Sequence, residues 1–244
     1  MSLENVSDEQ LLAELNRRIA CSYVPESRTL FIGPPGCGKG TQAPVIKEKQ
    51  CVCHLATGDM LREAIANKTP IGLQVKDIME KGGLVSDDIV IEVIKEAIKA
   101  PSCKKGFILD GFPRTVEQAK ALDSMLAKDG HKIDAALNFQ VPDELLIDRV
   151  TGRLVHPASG RSYHVRNNPP KVPMTDDITG EPLIQRKDDN AEALKTRLGQ
   201  FHKMTAPVLT HYDQKHVLVN VNANQPMNKV TSDIISALKG QPKI

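Results

Sequence analysis

The chemistry this chain can do concentrates in nine consecutive residues, Gly33-Pro34-Pro35-Gly36-Cys37-Gly38-Lys39-Gly40-Thr41. Glycines let backbone N–H groups converge on phosphate oxygens, and a helix opening directly after them adds the favourable end of its dipole. Lys39 then reaches the β- and γ-phosphates, and Thr41 is placed to help hold Mg²⁺. Gly40 separates the lysine from the threonine, a departure from the usual pattern. A glycine-rich turn that was only structural would need neither the strand before it nor the lysine within it. The stretch reads as a phosphate-binding loop for a nucleoside triphosphate, with Gly36, Cys37, Gly38, Lys39, Gly40 and Thr41 as its cradle.

Arginine is the second chemical signal. Arg62, Arg114, Arg149, Arg153, Arg186 and Arg197 each sit in a polar or glycine-flanked setting. Singly, each reads as solvated surface. Together, six arginines on four segments would converge on phosphates if the fold gathers its strand ends. Phosphoryl transfer asks for positioning and charge stabilisation more than for covalent chemistry, so an arginine-lined cavity suits it. No Ser-His-Asp or Cys-His constellation competes. A guanine-reading Asn-Lys-x-Asp is missing, since Asn228-Lys229-Val230-Thr231 lacks the aspartate, and a motor or large ATPase needs a longer chain.

The elements that must position these groups alternate along the chain. Short apolar runs at 29–32, 107–109, 135–141 and 217–221 read as buried strands, with 54–56 as a further candidate. Helical patterns lie between them at 41–49, 87–99, 115–127, 143–150, 190–212 and 226–238. The alternation predicts an α/β fold: a P-loop core built on a parallel sheet with helices on both faces. Pro44, inside the first of these core helices, should kink or loosen it. Ahead of the core, Ser7 and Gln10 form a capping-box pattern, and Leu11, Leu12, Leu15 and Ile19 give a helix whose apolar face is expected to pack on the core. Residues 154–189 break the rhythm with Pro157, Pro169, Pro170, Pro173 and Pro182. That stretch reads as a small β-rich insertion anchored by Tyr163, Val165, Leu183 and Ile184.

Composition narrows the class. At 244 residues the chain holds one good-sized core plus something smaller. A net charge of +2 and 3% aromatics argue against a dedicated nucleic-acid binder or a single-strand stacking platform. The five cysteines, Cys21, Cys37, Cys51, Cys53 and Cys103, are odd in number, which points to a reducing compartment, with Cys51 and Cys53 as small strand residues. No run approaches the ~18 apolar residues of a membrane span. The N-terminus lacks the pattern of a signal or transit peptide.

Four motifs resemble those of adenylate kinases: the phosphate loop, Thr57-Gly58-Asp59-Met60-Leu61-Arg62, Asp110-Gly111-Phe112-Pro113-Arg114-Thr115 and Arg186-Lys187-Asp188-Asp189. They keep that family's order and spacing, and the insertion is similar to the long lid of its eukaryotic form. The resemblance implies the reaction Mg·ATP + AMP ⇌ 2 ADP, with ATP, AMP and ADP as partners of a monomer and no role for nucleic acid or membrane. It divides the chain into an N-terminal helix and core start (1–55), a helical AMP-binding segment (56–85), core (86–151), lid (152–189) and core (190–244). Cytoplasm is the expected location, with the mitochondrial intermembrane space left open. A GTP-using AMP kinase and a turnover-deficient nucleotide-binding scaffold are the alternatives.

Site residues carry over one at a time from the resemblance. Lys39, Arg114, Arg153, Arg186 and Arg197 take the catalytic roles, the last two bridging donor and acceptor phosphates. Arg149, Arg153, Ser162, Tyr163 and Gln225 join the loop in binding ATP. Thr57, Arg62, Gly83, Leu84, Val85, Gly111, Phe112, Pro113, Arg114, Gln118, Arg186 and Arg197 bind AMP, with Gln118 as the amide that reads adenine. Asp59 and Asp110 hold water around Mg²⁺ together with Thr41. Where zinc-binding relatives carry lid cysteines this chain has His156, Ser159, Asp176 and Thr179, so no structural zinc is expected. A hydrogen-bonded cluster of these four is expected instead.

Overall fold

The computed structural model describes residues 6–240. Five strands, β1 (Ser27–Ile32), β2 (Cys53–Ala56), β3 (Gly106–Asp110), β4 (Ala135–Gln140) and a last strand at Leu218–Asn222, form an all-parallel sheet. Two short strands, β5 (Arg153–Val155) and β6 (Ser162–His164), pair antiparallel outside it, which makes the last core strand β7. The order β2-β3-β1-β4-β7 places β1 in the middle. Connections therefore leave β1 toward both sides, opening a crevice beyond the carboxyl ends of the strands. Register aligns Phe31 with Asp110 and Ala56 with Asp110, so the phosphate loop, the start of the 57–62 motif and Asp110 all emerge at one edge.

Side chains alternate across this sheet. Leu30, Leu109 and Ala136 enter one apolar cluster, while Phe31, Ile108, Leu137 and Phe139 enter the other, so both faces are covered. The covering helices are α2 (Lys39–Gln50), α5 (Asp87–Ala97), α6 (Val116–Lys128), α9 (Ala206–Asp213) and α10 (Met227–Gly240), while α3 (Thr57–Ala66), α7 (Leu146–Thr151) and α8 (Ala191–Gln200) send residues into the crevice and α4 (Pro70–Glu80) packs on α3. The expected α/β architecture is present. The helix α2 runs unbroken through Pro44, at the cost of the amide that Gly40 would otherwise accept from.

Three local expectations are corrected. The single helix read over 190–212 is divided by a π turn at Phe201–Thr205. Pro207, just beyond it, has no N–H to give the ladder, and the wider turn absorbs the mismatch. The helix α1 (Asp8–Ser22) has its capping box, but only Cys21 on it is buried, and Leu12, Leu15 and Ile19 stay exposed. The cysteines are also paired: Cys21 bonds Cys51 and Cys53 bonds Cys103, leaving buried Cys37 free. An odd count conceals two bridges when one thiol is left over, and the pairs join segments 30 and 50 residues apart. Cys51 is not a strand residue but the left-handed cap of α2.

The insertion folds on its own small core of Leu154, Tyr163 and Leu183, while Val165 and Ile184 remain half-exposed. Bridges from Val155 to Ile184 and from Thr175 to Pro182 close it into a compact flap. Its four cluster residues do meet. His156 Nδ1 lies 2.7 Å from Ser159 Oγ, and Thr179 donates to Asp176 at 3.0 Å through its hydroxyl and 2.9 Å through its amide. Three unforeseen partners complete the cluster. Arg161 forks onto Asp176 at 2.9 and 2.6 Å, Tyr163 donates to Asp176 at 3.0 Å, and Glu181 faces His156 Nε2 at 2.7 Å. The Arg161 bonds hold the Asp176 carboxyl far below the usual carboxylate range.

A guanidinium already stands on the Asp176 carboxylate, both His156 ring nitrogens are taken up by Ser159 and Glu181, and Ser159 and Thr179 offer only neutral hydroxyls, so the group is unsuited to zinc. Purified protein is expected to carry no stoichiometric zinc by elemental analysis, and chelation should leave its melting temperature unchanged. His156→Ala removes a buried ring and its bonds to Ser159 and Glu181, which water can then reach, and should destabilise the flap by ~1 kcal/mol. Hydrogen exchange confined to 153–186 would register it. One tightly held zinc per chain would contradict this account.

Candidate active site

Beyond the strand ends lies a cavity of about 1090 Å³. The phosphate loop forms its floor. Gly36 and Gly38 take φ of +84° and +103°, conformations that side chains resist, and a Cβ on Gly36 would strike Val150 at 2.7 Å. A Cβ on Gly38 or Gly40 would meet nothing within 4 Å, so the backbone there opens onto free space of the kind phosphate needs. The Lys39 and Gly40 amides that open α2 have no backbone acceptor among the described residues and are available to an anion, while the Thr41 amide already donates to Gly38 O at 3.1 Å. Lys39 Nζ donates to the carbonyls of Gly33 and Pro34 at 2.8 and 3.1 Å, which holds the ammonium back across the loop. Cys37 is buried beneath, its thiol pushed up by that burial.

All six arginines singled out in the sequence line this cavity, with Lys39, Asp59 and Asp110. What the sequence reading missed is the part played by Asp188 and Asp189. Asp188 accepts from Arg197 at 2.9 Å and Arg62 at 3.2 Å, and Asp189 holds Arg153 in a two-pronged pair. Asp59 lies between Arg62, at 2.8 Å, and Arg186. Their position beside Arg186 in the fourth motif was the available signal. Burial and neighbouring arginines pull Arg186 and Arg197 down to about 10, and burial lowers Arg114 as well. Arg153 is raised, because the Asp189 pair outweighs burial. Lys39 and six arginines thus outnumber Asp59, Glu63, Asp110, Asp188 and Asp189, and the surplus positive charge is partly buried. Such a cavity binds a polyanion.

Asp110 ends β3 beside the loop. Burial works against its charge, but the His54 ring, Lys39 and Arg114 outweigh that and keep the carboxyl low. His54 Nε2 stands 3.9 Å away with no hydrogen-bond partner of its own. An ionised, nearly buried carboxylate facing a phosphate loop fits the outer shell of a hydrated Mg²⁺, with Thr41 on the same wall. Both arginines bond Asp59 through Oδ1, so Oδ2 is left to join it.

A smaller cavity of roughly 40 Å³ adjoins the first, lined by Thr57, Arg62, Gly83, Leu84, Val85, Gly111, Arg114 and Gln118 among others. The expected AMP-side residues therefore gather, with two qualifications. Phe112 is fully buried in the core and lines neither cavity. The Gln118 amide is engaged by protein partners rather than free. On the other side, Arg149 donates to Ala223 O, Gln225 binds Asp233, and Tyr163 turns its hydroxyl into the flap, although all three line the large cavity. Thr205, from the π turn, donates to Arg114 O at 3.0 Å and steadies that segment; periodicity alone could not have revealed it.

Loop, sheet order and basic cavity together define a P-loop nucleotide-binding phosphotransferase fold carrying a β-rich flap. The family model described as Adenylate kinase matches residues 31–217. Adenylate kinase 4 of Oryza sativa subsp. japonica is 57% identical over 237 residues, covering 97% of this chain and 98% of that protein. Adenylate kinase 4 of Arabidopsis thaliana is 58% identical over 97% of the chain and 96% of its own length. An adenylate kinase of Kluyveromyces lactis is 57% identical over 89% and 96%. The chain belongs to the adenylate kinase family, and it is a nucleotide-binding transferase of the kinase class.

Proposed function

We propose that the chain catalyses reversible, Mg²⁺-dependent transfer of the γ-phosphoryl group of ATP to AMP, giving two ADP. The observation that carries this reading is the convergence of Lys39 and six arginines from separate segments on one cavity. ATP lies with its phosphates on the loop amides, Lys39 against the β- and γ-oxygens, and Arg149 and Arg153 on the lid side. AMP lies toward Arg62, Arg114 and Gln118, its phosphate oxygen already anionic, so no protein base is needed. Arg186 and Arg197 sit between the two and stabilise charge on the transferring group. Asp59, Asp110 and Thr41 would hold Mg²⁺, mostly through water, and the ion would supply charge neutralisation on the phosphates. Each substrate phosphate exchanges for a carboxylate now paired with its arginine, and the flap over 152–189 closes to exclude water.

No described helix is long and apolar enough to cross a membrane. Two disulfides favour the more oxidising of the compartments the sequence leaves open. A coupled assay for ADP tests the reading. ATP with AMP should turn over, GTP with AMP should be much slower, and chelation of Mg²⁺ should stop the reaction. Binding of both nucleotides without ADP formation would make the chain a scaffold instead.

A further inference from the structure

The Gln118 side chain is held in a single sense by two partners that cannot exchange roles. Its Oε1 accepts the backbone N–H of Arg114 at 2.7 Å, and its Nε2 donates to Asp87 Oδ1 at 2.6 Å. A backbone N–H can only donate and a carboxylate can only accept, so a flipped amide would meet donor with donor and acceptor with acceptor. Asp87, the first residue of α5, is fixed in turn by the Thr115 hydroxyl, which donates to Oδ2 at 3.0 Å. That hydroxyl also accepts the Gln118 N–H at 3.1 Å as the cap of α6, so helix start, carboxylate and amide form one closed ring of bonds. Gln118 is 3% exposed, and water has little access to replace either partner.

The locked amide keeps one unused N–H on Nε2 and one unused lone pair on Oε1. A 6-aminopurine offers a ring acceptor at N1 beside an amine donor at N6, which matches that pair. A 6-oxopurine offers N1–H beside an O6 acceptor, which opposes it at both atoms. We infer that Asp87 is a positioning residue that locks the Gln118 amide, so that the acceptor-nucleotide site admits a 6-aminopurine monophosphate and rejects a 6-oxopurine one. The inference rests on the reading above, in which Gln118 faces the base of the acceptor. It adds a selectivity determinant from α5 that does not itself touch the base.

Steady-state kinetics with ATP as donor, and AMP or IMP as acceptor, test it on the full chain. Asp87→Ala should raise KM for AMP by ~10-fold with kcat nearly kept. It should raise the IMP-to-AMP ratio of kcat/KM by at least ~10-fold, the cost of one or two opposed polar contacts having been removed. Asp87→Asn keeps the shape but gives one acceptor oxygen to two donors, and should move the same ratio part of the way. It decides the matter if the alanine variant does not fold. A purely structural role would lower activity toward both acceptors together and leave the ratio alone. That result in the two Asp87 variants, with Gln118→Ala still raising the ratio, would overturn the inference and leave the proposed function standing. An unchanged ratio in Gln118→Ala as well would overturn the reading beneath it.

Discussion

Lys39→Met is expected to lower turnover by ~10²–10³-fold while leaving the fold intact. A preorganised charge aimed at the transferring group is worth about 3–4 kcal/mol in the transition state. Among the described residues the ammonium bonds only within its own loop, to Gly33 O, Pro34 O and the Cys37 sulfur at 3.4 Å. Its removal therefore strands two carbonyls at a cavity wall that water reaches, and no buried ion pair is broken. Methionine keeps the length of the stem and loses the charge. The melting temperature should shift by little, and the loss should appear in kcat more than in either KM, because charge grows on the transferring group as the bond breaks. A folded Lys39→Met protein with near-normal turnover would remove the phosphate loop from the reaction.

The loop was legible because its chemistry is local. Glycines, lysine and helix start lie within nine residues, and an apolar strand directly precedes them. The three inner strands were legible for a related reason: a strand buried on both faces reads as a mostly apolar run, and 29–32, 107–109 and 135–141 are such runs, whereas β2 and β7 at the sheet edges are only partly buried. Pairings across the chain were not legible. Asp188 reaches Arg62 across 126 residues, and nothing in either neighbourhood specifies the partner. Periodicity gave the helix α1 an apolar face but could not say whether anything covers it, and most of that face is exposed. The lid cluster falls between these cases. Position suggested His156, Ser159, Asp176 and Thr179, but the strongest bonds in it come from Arg161, whose role depends on how β6 folds back.

The ion pairs also separate the two substrate sites by experiment. Arg62→Ala should raise KM for AMP by ~10–100-fold and that for ATP by far less, the range expected for one charge-assisted bond to a phosphate. Arg153→Ala should show the reverse bias. Their effects on stability should differ as well, which guards against mistaking damage for specificity. Without Arg62, Asp188 keeps Arg197 at 2.9 Å and Asp59 keeps Arg186, so no buried charge is abandoned. Without Arg153, the wholly buried Asp189 carboxylate is left with Arg197 at 3.9 Å. A charge stranded in that way costs about 3 kcal/mol or more. Arg153→Ala should therefore melt well below Arg62→Ala, and adding Asp189→Asn should recover much of the melting temperature without restoring KM for ATP. Recovery of both would mean that Arg153 serves the fold alone, and equal effects of the two alanine variants on one substrate would show that the division of the cavity into donor and acceptor ends is wrong.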